Sequence, residues 1–197
     1  MALFPTDPKQ IRSRIRSYER ALKKEYDLYG AYDDGAGKRY LLGSLYLLLN
    51  DIEGALKHYA WFEKAFGDDI GDPLDLLTWT LVLYRAGDLE AALRKLHQAM
   101  LSNLYLIPHV LQIEQPELDI SHLSNLETQE YLGYIPDEIV RLWDGEVLDW
   151  LRASYHQAEI QAVRERYIAI QRQLKHEPVG ETRSRLVREA FALRSGE

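Results

Sequence analysis

The sequence contains no cysteine, and it is poor in glycine and proline. Without cysteine there are no disulfides, no thiol catalysis and no zinc or iron–sulfur sites with cysteine ligands. The 12 glycines and 7 prolines among 197 residues exclude collagen-like and low-complexity architectures. The chain does contain 46% apolar or aromatic residues and 28% charged residues, which are ordinary proportions for a globular protein. We therefore expect a folded chain with a sizeable core.

Long apolar runs are also missing. The longest, 40–49, is interrupted by Gly43 and Ser44 and is far shorter than the roughly 20 residues that span a bilayer. Residues 1–8 show no basic stretch followed by an apolar one, so no secretory signal peptide is indicated. These features predict a soluble, cytoplasmic protein without a membrane partner.

Charge is distributed unevenly along the chain. The net charge is −7, but residues 1–24 sum to +5, residues 164–197 to +3, and the segment between them to −15. Two explanations are open: the basic ends are solvated helix faces, or they contact the acidic body or that of a second copy. Nucleic-acid binding is disfavoured, because phosphate contacts require a basic face on the folded body.

A helical period runs through almost the whole chain. Six apolar residues, spaced three or four apart, share one face of a predicted helix over 8–30: Ile11, Ile15, Tyr18, Leu22, Tyr26 and Tyr29. Asp7 and Pro8 are suited to its first turn. No segment alternates strictly between apolar and polar residues. The sequence therefore predicts an all-α fold in a single domain over 1–197.

The remaining helices are placed by turn residues and apolar spacing. We expect helices over 38–49, 52–66, 74–86 and 89–102, then an irregular linker over 104–126 and C-terminal helices over 127–195. Within the C-terminal region the pattern predicts a helix over 127–143 with a break or kink near Pro136, a long helix over 146–175 and a last helix over 181–193.

An internal repeat of 37 residues is the most informative feature of the sequence. A turn residue, Asp, an aliphatic residue, Glu, a small residue, Ala and Leu occur in this order at 50–56 and again at 87–93. This register places Ala55 and Ala92 at equivalent positions. Each copy predicts a helix, a short turn and a second helix, and the alanine allows the second helix to approach the first closely.

The two copies, over 38–103, resemble the tetratricopeptide repeat (TPR). The first copy has TPR residue types at the TPR spacings at Leu42, Gly43, Tyr46, Ala55 and Tyr59, and the second copy at Ala92 and Ala99. Departures from the TPR pattern are Arg39, Phe62, Trp79, Thr80 and Leu83, and the period exceeds the usual length of about 34 residues. The resemblance implies TPR-type helix-turn-helix repeats that form a short α-solenoid. Because two repeats rarely suffice, the N-terminal helix and the long C-terminal helices are expected to act as caps.

A weaker likeness concerns the region after the repeats. The stretch 103–111 and the later run Trp-Asp-Gly-Glu-Val-Leu-Asp-Trp-Leu at 143–151 are similar to the segment that follows the repeats in suppressor-of-tumorigenicity-7-like TPR proteins. This likeness implies that the tail is a regular part of such a domain.

The TPR resemblance also implies a concave groove, lined by the first helix of each pair. The usual groove positions hold Tyr40, Ser44, Leu47, Leu77, Leu81, Tyr84 and Arg85. An apolar groove with aromatic edges suits an amphipathic helix or an extended hydrophobic segment of a partner protein. We therefore expect a non-enzymatic protein-interaction scaffold. The alternative is a structural homo-oligomer whose groove is filled by its own helices.

No catalytic or metal-binding motif is evident in the sequence. The run 35–38 looks like part of a phosphate-binding loop, but position 32 is Tyr where Gly is needed, and position 39 is Arg where a hydroxyl is needed. The six histidines lack HExxH spacing, and the acidic cluster over 68–75 lacks the EF-hand ligand order. The sequence predicts no enzyme activity, no cofactor and no metal.

Overall fold

The computed structural model describes residues 3–196 of the chain. Its α-helices are α1 (Pro8–Tyr29), α2 (Lys38–Leu48), α3 (Ile52–Ala65), α4 (Pro73–Arg85), α5 (Leu89–Ser102), α6 (Leu106–Val110), α7 (Asp137–Val140), α8 (Gly145–Tyr155), α9 (Ala158–His176) and α10 (Glu181–Ser195). Two 3₁₀ segments, Asn125–Glu127 and Gln129–Tyr134, precede α7. No strand occurs among the described residues, which confirms the predicted all-α class. Over the same range, no helix combines the length and apolarity needed to cross a membrane.

Aspartate side chains begin four of the first five helices. Asp7, Asp51, Asp72 and Asp88 each accept a hydrogen bond from a backbone N–H two or three residues further on. Proline follows two of these caps, in the first turn of the helix. Its missing N–H costs no hydrogen bond there, because the N–H groups of the first turn have no partner within the helix. Because these signals are local, the bounds of α1–α5 were predictable, and the structure confirms them to within one residue.

Helices α2 and α3 form one hairpin and α4 and α5 form a second, and the two hairpins pack together through α2 and α4. Helix α1 packs on α2. Gly43 of α2 lies so close to α3 that a Cβ there would stand 2.0 Å from Oη of Tyr59. Ala55 and Ala92 are both completely buried, as the repeat register requires of two equivalent close-approach positions.

The C-terminal region differs from its prediction in two places. A helix over 127–143 is wrong, because Thr128 is extended between the two 3₁₀ segments. The predicted break near Pro136 is confirmed, since Pro136 is extended and α7 begins directly after it. A single helix over 146–175 is also wrong, because Gln157 is extended and separates α8 from α9. The Gln161 side chain donates a hydrogen bond of 2.5 Å to the backbone carbonyl of Tyr155, which supplies a partner at the end of α8.

One apolar core extends through the described chain, from Phe4 to Ala190. The predicted linker 104–126 contributes to it through α6, and Asn103 holds that segment in place with hydrogen bonds to the carbonyls of Leu126 and Thr128. Helix α10 packs on α9 and α5. Arg194 of α10 pairs with Glu127 at 3.5 Å. The basic C-terminal end therefore contacts the acidic body, in line with the second explanation of the charge distribution.

Candidate functional site

Four of the seven predicted groove residues lie in the interior of the protein. Ser44, Leu47, Leu77 and Leu81 are each no more than 1% exposed. The hydroxyl of Ser44 is 3.0 Å from that of Thr78, at the contact between α2 and α4. The expectation that these four side chains line an open groove is therefore wrong.

The other three predicted groove residues are half-buried and hold contacts within the chain. The Tyr40 hydroxyl donates to Asp69 at 2.6 Å, and the Arg85 guanidinium donates to the carbonyl of Leu142 at 3.1 Å. The Tyr84 ring lies 5.0 Å from the ring of Trp150. Helix α7 also packs on α2. The segment from α7 to α8 thus lies where a partner was expected, so this face is occupied by the chain itself.

An open cleft lies instead on the other side of α2, between α1 and α3. This α1–α3 cleft has a volume of about 480 Å³, within the usual range of ligand sites. Its apolar lining consists of Leu22, Tyr26, Tyr32, Leu42, Tyr46 and Trp61. Leu22 and Leu42 are buried, whereas Tyr26 is 50% exposed. The cleft therefore offers an apolar base with aromatic walls that a partner can reach.

The aromatic walls hold one another in place. The rings of Tyr26 and Tyr32 stack at 5.0 Å, and Tyr32 meets Trp61 edge to face at 5.2 Å. The indole N–H of Trp61 also donates to the Tyr32 hydroxyl at 3.1 Å. Across the cleft, a Cβ on Gly54 would stand 2.6 Å from the Tyr46 ring, so glycine is needed for this approach. Contacts of this kind prearrange the cleft and reduce the entropy lost on binding.

One histidine, His58, lines the cleft from within α3. It is 7% exposed, and its Nε2 is 3.0 Å from the carbonyl oxygen of Arg39. Burial lowers the pKa of His58 to about 4, although the hydrogen bond to Arg39 acts in the opposite direction. His58 is therefore neutral near pH 7 and contributes an apolar, hydrogen-bonded surface rather than a charge.

A row of five exposed basic side chains follows the outer face of α1, the helix that forms one wall of the cleft. The basic row consists of Lys9, Arg12, Arg16, Arg20 and Lys24. Their spacing of three or four residues keeps them on one side of the helix. Over residues 3–196, no member of the row forms an ion pair. The row therefore presents a positive face that nothing within the described chain neutralises.

The acidic residues on the cleft are already engaged. Glu19 accepts a hydrogen bond from the Tyr46 hydroxyl, and Asp27 pairs with Lys23 at 2.9 Å. The electrostatic character of the surface beside the cleft is therefore set by the basic row. The described part of the chain contains no cluster of three or more acidic, histidine or cysteine side chains that could hold a metal ion.

This cleft was not predicted from the sequence, although part of its lining was identified there. Tyr26 and Tyr29 were placed on the same apolar face of α1 as Leu22, but they are 50% and 75% exposed. The buried part of that face ends at Leu22. The excess of aromatic residues beyond the last buried turn was the available signal, together with the spacing of the basic row.

No protein-family model matches the chain, and no curated protein and no solved structure is significantly similar to it. Its function has therefore to be inferred from its residues and their geometry.

Proposed function

We propose that this protein is a non-enzymatic, cytoplasmic interaction scaffold of TPR type, which binds an acidic amphipathic segment of a partner protein. The binding surface is the α1–α3 cleft together with the basic row. The observation that carries this proposal is the open aromatic cleft beside a row of unpaired basic side chains.

The TPR assignment is supported by complementary sizes in the two hairpins. In the first, Gly43 faces Tyr59 and Gly54 faces Tyr46. In the second hairpin, the 37-residue register places Thr80 and Leu96 at the positions of Gly43 and Tyr59. It places Ala91 and Leu83 at the positions of Gly54 and Tyr46. Each larger residue on one helix is thus matched by a smaller residue on the other. This is the expected pattern when two hairpins of one type are packed by different side chains.

The chemistry of the partner follows from the two parts of the surface. The apolar base and aromatic walls suit leucine or phenylalanine side chains, which a helix presents at i, i+4 and i+7. Opposite charge at the basic row favours carboxylates on the flanks of the same segment. An acidic amphipathic helix satisfies both requirements, whereas a basic one would be repelled.

The proposal is tested with synthetic peptides of defined chemistry. A labelled helix-forming peptide has leucine and phenylalanine at i, i+4 and i+7 and glutamate elsewhere, and its binding is followed by fluorescence anisotropy. A scrambled peptide of the same composition and a peptide with lysine in place of glutamate are the controls. We expect the acidic amphipathic peptide to bind at least about tenfold more tightly than either control. Equal binding of the glutamate and lysine peptides would show the proposal to be wrong.

Protein variants locate the binding surface. Arg16→Glu with Arg20→Glu reverses two charges of the basic row, and we expect at least about tenfold weaker binding of the acidic peptide. The matched control is Arg172→Glu with Arg188→Glu, which reverses two exposed charges on α9 and α10. The Tyr26→Ser variant tests the cleft. Its control is Tyr134→Ser, because Tyr134 is 77% exposed and lies outside the cleft. Loss of binding in the control variants as well would contradict the assigned surface.

A further inference from the structure

A second cleft opens between α3, α5 and the C-terminal end of α10. This α3–α5 cleft has a volume of about 490 Å³, which is also within the usual range of small-molecule sites. Its aromatic lining consists of Phe62, Phe66, Trp79 and Phe191. Phe191 is 49% exposed, whereas Phe62 and Trp79 are buried. The cleft is therefore accessible at α10 and aromatic within.

Asp75 of α4 lines this cleft with an incompletely paired carboxyl group. The residue is 1% exposed, and its Oδ1 accepts a hydrogen bond of 3.1 Å from the Tyr59 hydroxyl. Its Oδ2 is buried and has no hydrogen-bond partner among the described residues. Since buried polar atoms are normally satisfied, an unpaired oxygen on the lining of a cleft indicates a position for a donor from a ligand.

Most other charged groups around the cleft already have partners. Lys95 lies 3.7 Å from the Glu63 carboxylate and 3.5 Å above the Trp79 ring. Asp69 is paired with Arg39 at 2.9 Å, and Arg194 with Glu127. The Asp75 carboxyl is therefore left without a counter-charge at hydrogen-bond distance, in a site with aromatic walls.

We propose that the α3–α5 cleft is a second binding site, which takes a small organic ammonium ion whose N–H donates to Oδ2 of Asp75. The apolar part of the ligand packs on the aromatic walls, where cations and hydrocarbon are both favoured. An anion is disfavoured, because the lining also holds Glu63, Asp68 and Asp69, against the basic residues Lys95 and Arg194. The site is independent of the α1–α3 cleft, because different residues line it.

Binding of the ammonium ion changes the ionisation of Asp75. Burial raises the pKa of this carboxyl well above its ordinary value, which favours its protonated form in the free protein. The titratable groups around it are Asp69 and Asp72 in the α3–α4 loop, Tyr59 of α3, Lys95 of α5 and Tyr131 of the second 3₁₀ segment. The ammonium ion supplies a positive partner for the ionised carboxylate, so the Asp75 proton passes to the buffer as the complex forms.

The test uses the full chain and matched pairs of amine and alcohol. Butylamine, 2-phenylethylamine and tryptamine are titrated by isothermal calorimetry at neutral pH, each beside the alcohol of the same carbon skeleton. We expect at least one amine to bind, at least about tenfold more tightly than its alcohol. Heats measured in buffers of different ionisation enthalpy are expected to show a net release of protons as the amine binds. The proposal would be overturned if none of the three amines binds, if amine and alcohol bind equally, or if no proton is released.

Two variants connect binding to the site. Asp75→Asn keeps the shape of the side chain and its contact with Tyr59 but removes the charge, so we expect the preference for amine over alcohol to disappear. Phe191→Ser removes a half-exposed wall and is expected to weaken the amine and the alcohol alike. Val179→Ser, at a residue that is 96% exposed, is the control and should bind as the unmodified protein does. An Asp75→Asn variant that folds and still prefers the amine would overturn the proposal, and if that variant does not fold, Phe191→Ser decides.

Discussion

At the scale of single residues, the contact between Gly43 and Tyr59 is the tightest in the first hairpin. A Cβ at Gly43 would stand 2.0 Å from the Tyr59 Oη and 2.5 Å from its Cζ. The Tyr59 ring cannot move away easily, because it is 1% exposed and stacks on Trp79 at 4.2 Å. We therefore expect Gly43→Ala to lower the free energy of unfolding by about 1–3 kcal/mol, measured by urea denaturation. An unchanged midpoint would contradict this packing.

The corresponding pair of the second hairpin suggests a compensating change. Thr80 and Leu96 stand where the first hairpin has Gly43 and Tyr59, and both are buried. We expect Gly43→Thr and Tyr59→Leu each to destabilise the protein, and the double variant to lose less than the sum of the two. The coupling in a double-mutant cycle should lie at about 0.5–3 kcal/mol, as for side chains in contact. Strict additivity would show that the two hairpins are not packed in the same register.

The low pKa of His58 makes stability depend on pH. The folded protein keeps His58 neutral down to about pH 4, whereas the unfolded chain takes up a proton near its ordinary value of 6.5. The contribution of neutral His58 is therefore fully present above pH 6.5 and is lost as pH falls toward 4. This loss amounts to about 3 kcal/mol. We expect the stability difference between the unmodified protein and His58→Gln, from urea denaturation, to shrink over that window. A constant difference would contradict the burial of His58.

Asp75 makes stability depend on pH in the direction opposite to that of His58. Burial raises its pKa, so the folded protein holds a proton that the unfolded chain releases above about pH 4. The stability contributed by protonated Asp75 is present below that pH and is lost as pH rises. We expect Asp75→Asn to gain stability relative to the unmodified protein between about pH 4 and pH 7, in the same urea measurements. A relative loss over this range would mean that Asp75 is ionised in the folded protein.

At the scale of helices, Ala92 and Ala91 give a matched pair for the repeat register. Ala92 is completely buried, whereas Ala91, the preceding residue of α5, is half-buried. A leucine at Ala92 meets the opposing helix and cannot avoid it by a change of rotamer, which costs about 1–3 kcal/mol. We expect Ala92→Leu to lower the melting temperature by about 2–4 °C for each kcal/mol lost, and Ala91→Leu, at a half-buried position, to lower it less. Equal melting temperatures, measured by circular dichroism, would show the register to be wrong.

Helix boundaries were predicted correctly where residues next to the boundary mark it. An aspartate or a glycine stands directly before each helix from α1 to α5, and those helix starts were predicted. The break at Gln157 carries no proline or glycine, and the apolar spacing from Tyr155 to Ala158 continues across it. Tertiary contacts decide such a break, since α9 packs on α10 and α5. Periodicity alone cannot reveal this.

At the scale of the whole molecule, the sequence predicted an apolar face on α2 and α4 but not what covers it. An apolar helix face has the same pattern whether a partner or the chain itself packs against it. The contacts of Tyr84 with Trp150 and of Arg85 with Leu142 show that the chain covers this face. The α1–α3 cleft was harder to predict, because it is lined by residues 19–61 from three helices and the turn after α1.

The coverage of this face by the chain itself also concerns the alternative of a structural homo-oligomer. That α7 and α8 cover the predicted groove agrees with the part of this alternative in which the chain's own helices fill the groove, and any contact between copies then has to use other surfaces. One attraction between copies is electrostatic, between the basic row and the acidic body, and it acts over about 10 Å at 0.1 M salt and less at higher salt. We expect sedimentation velocity to give a monomer of 22.9 kDa both at low salt and at about 0.5 M salt. A dimer at low salt that persists in Arg16→Glu with Arg20→Glu would place the self-contact outside the basic row. A dimer at both salt concentrations would favour the homo-oligomer over the interaction scaffold.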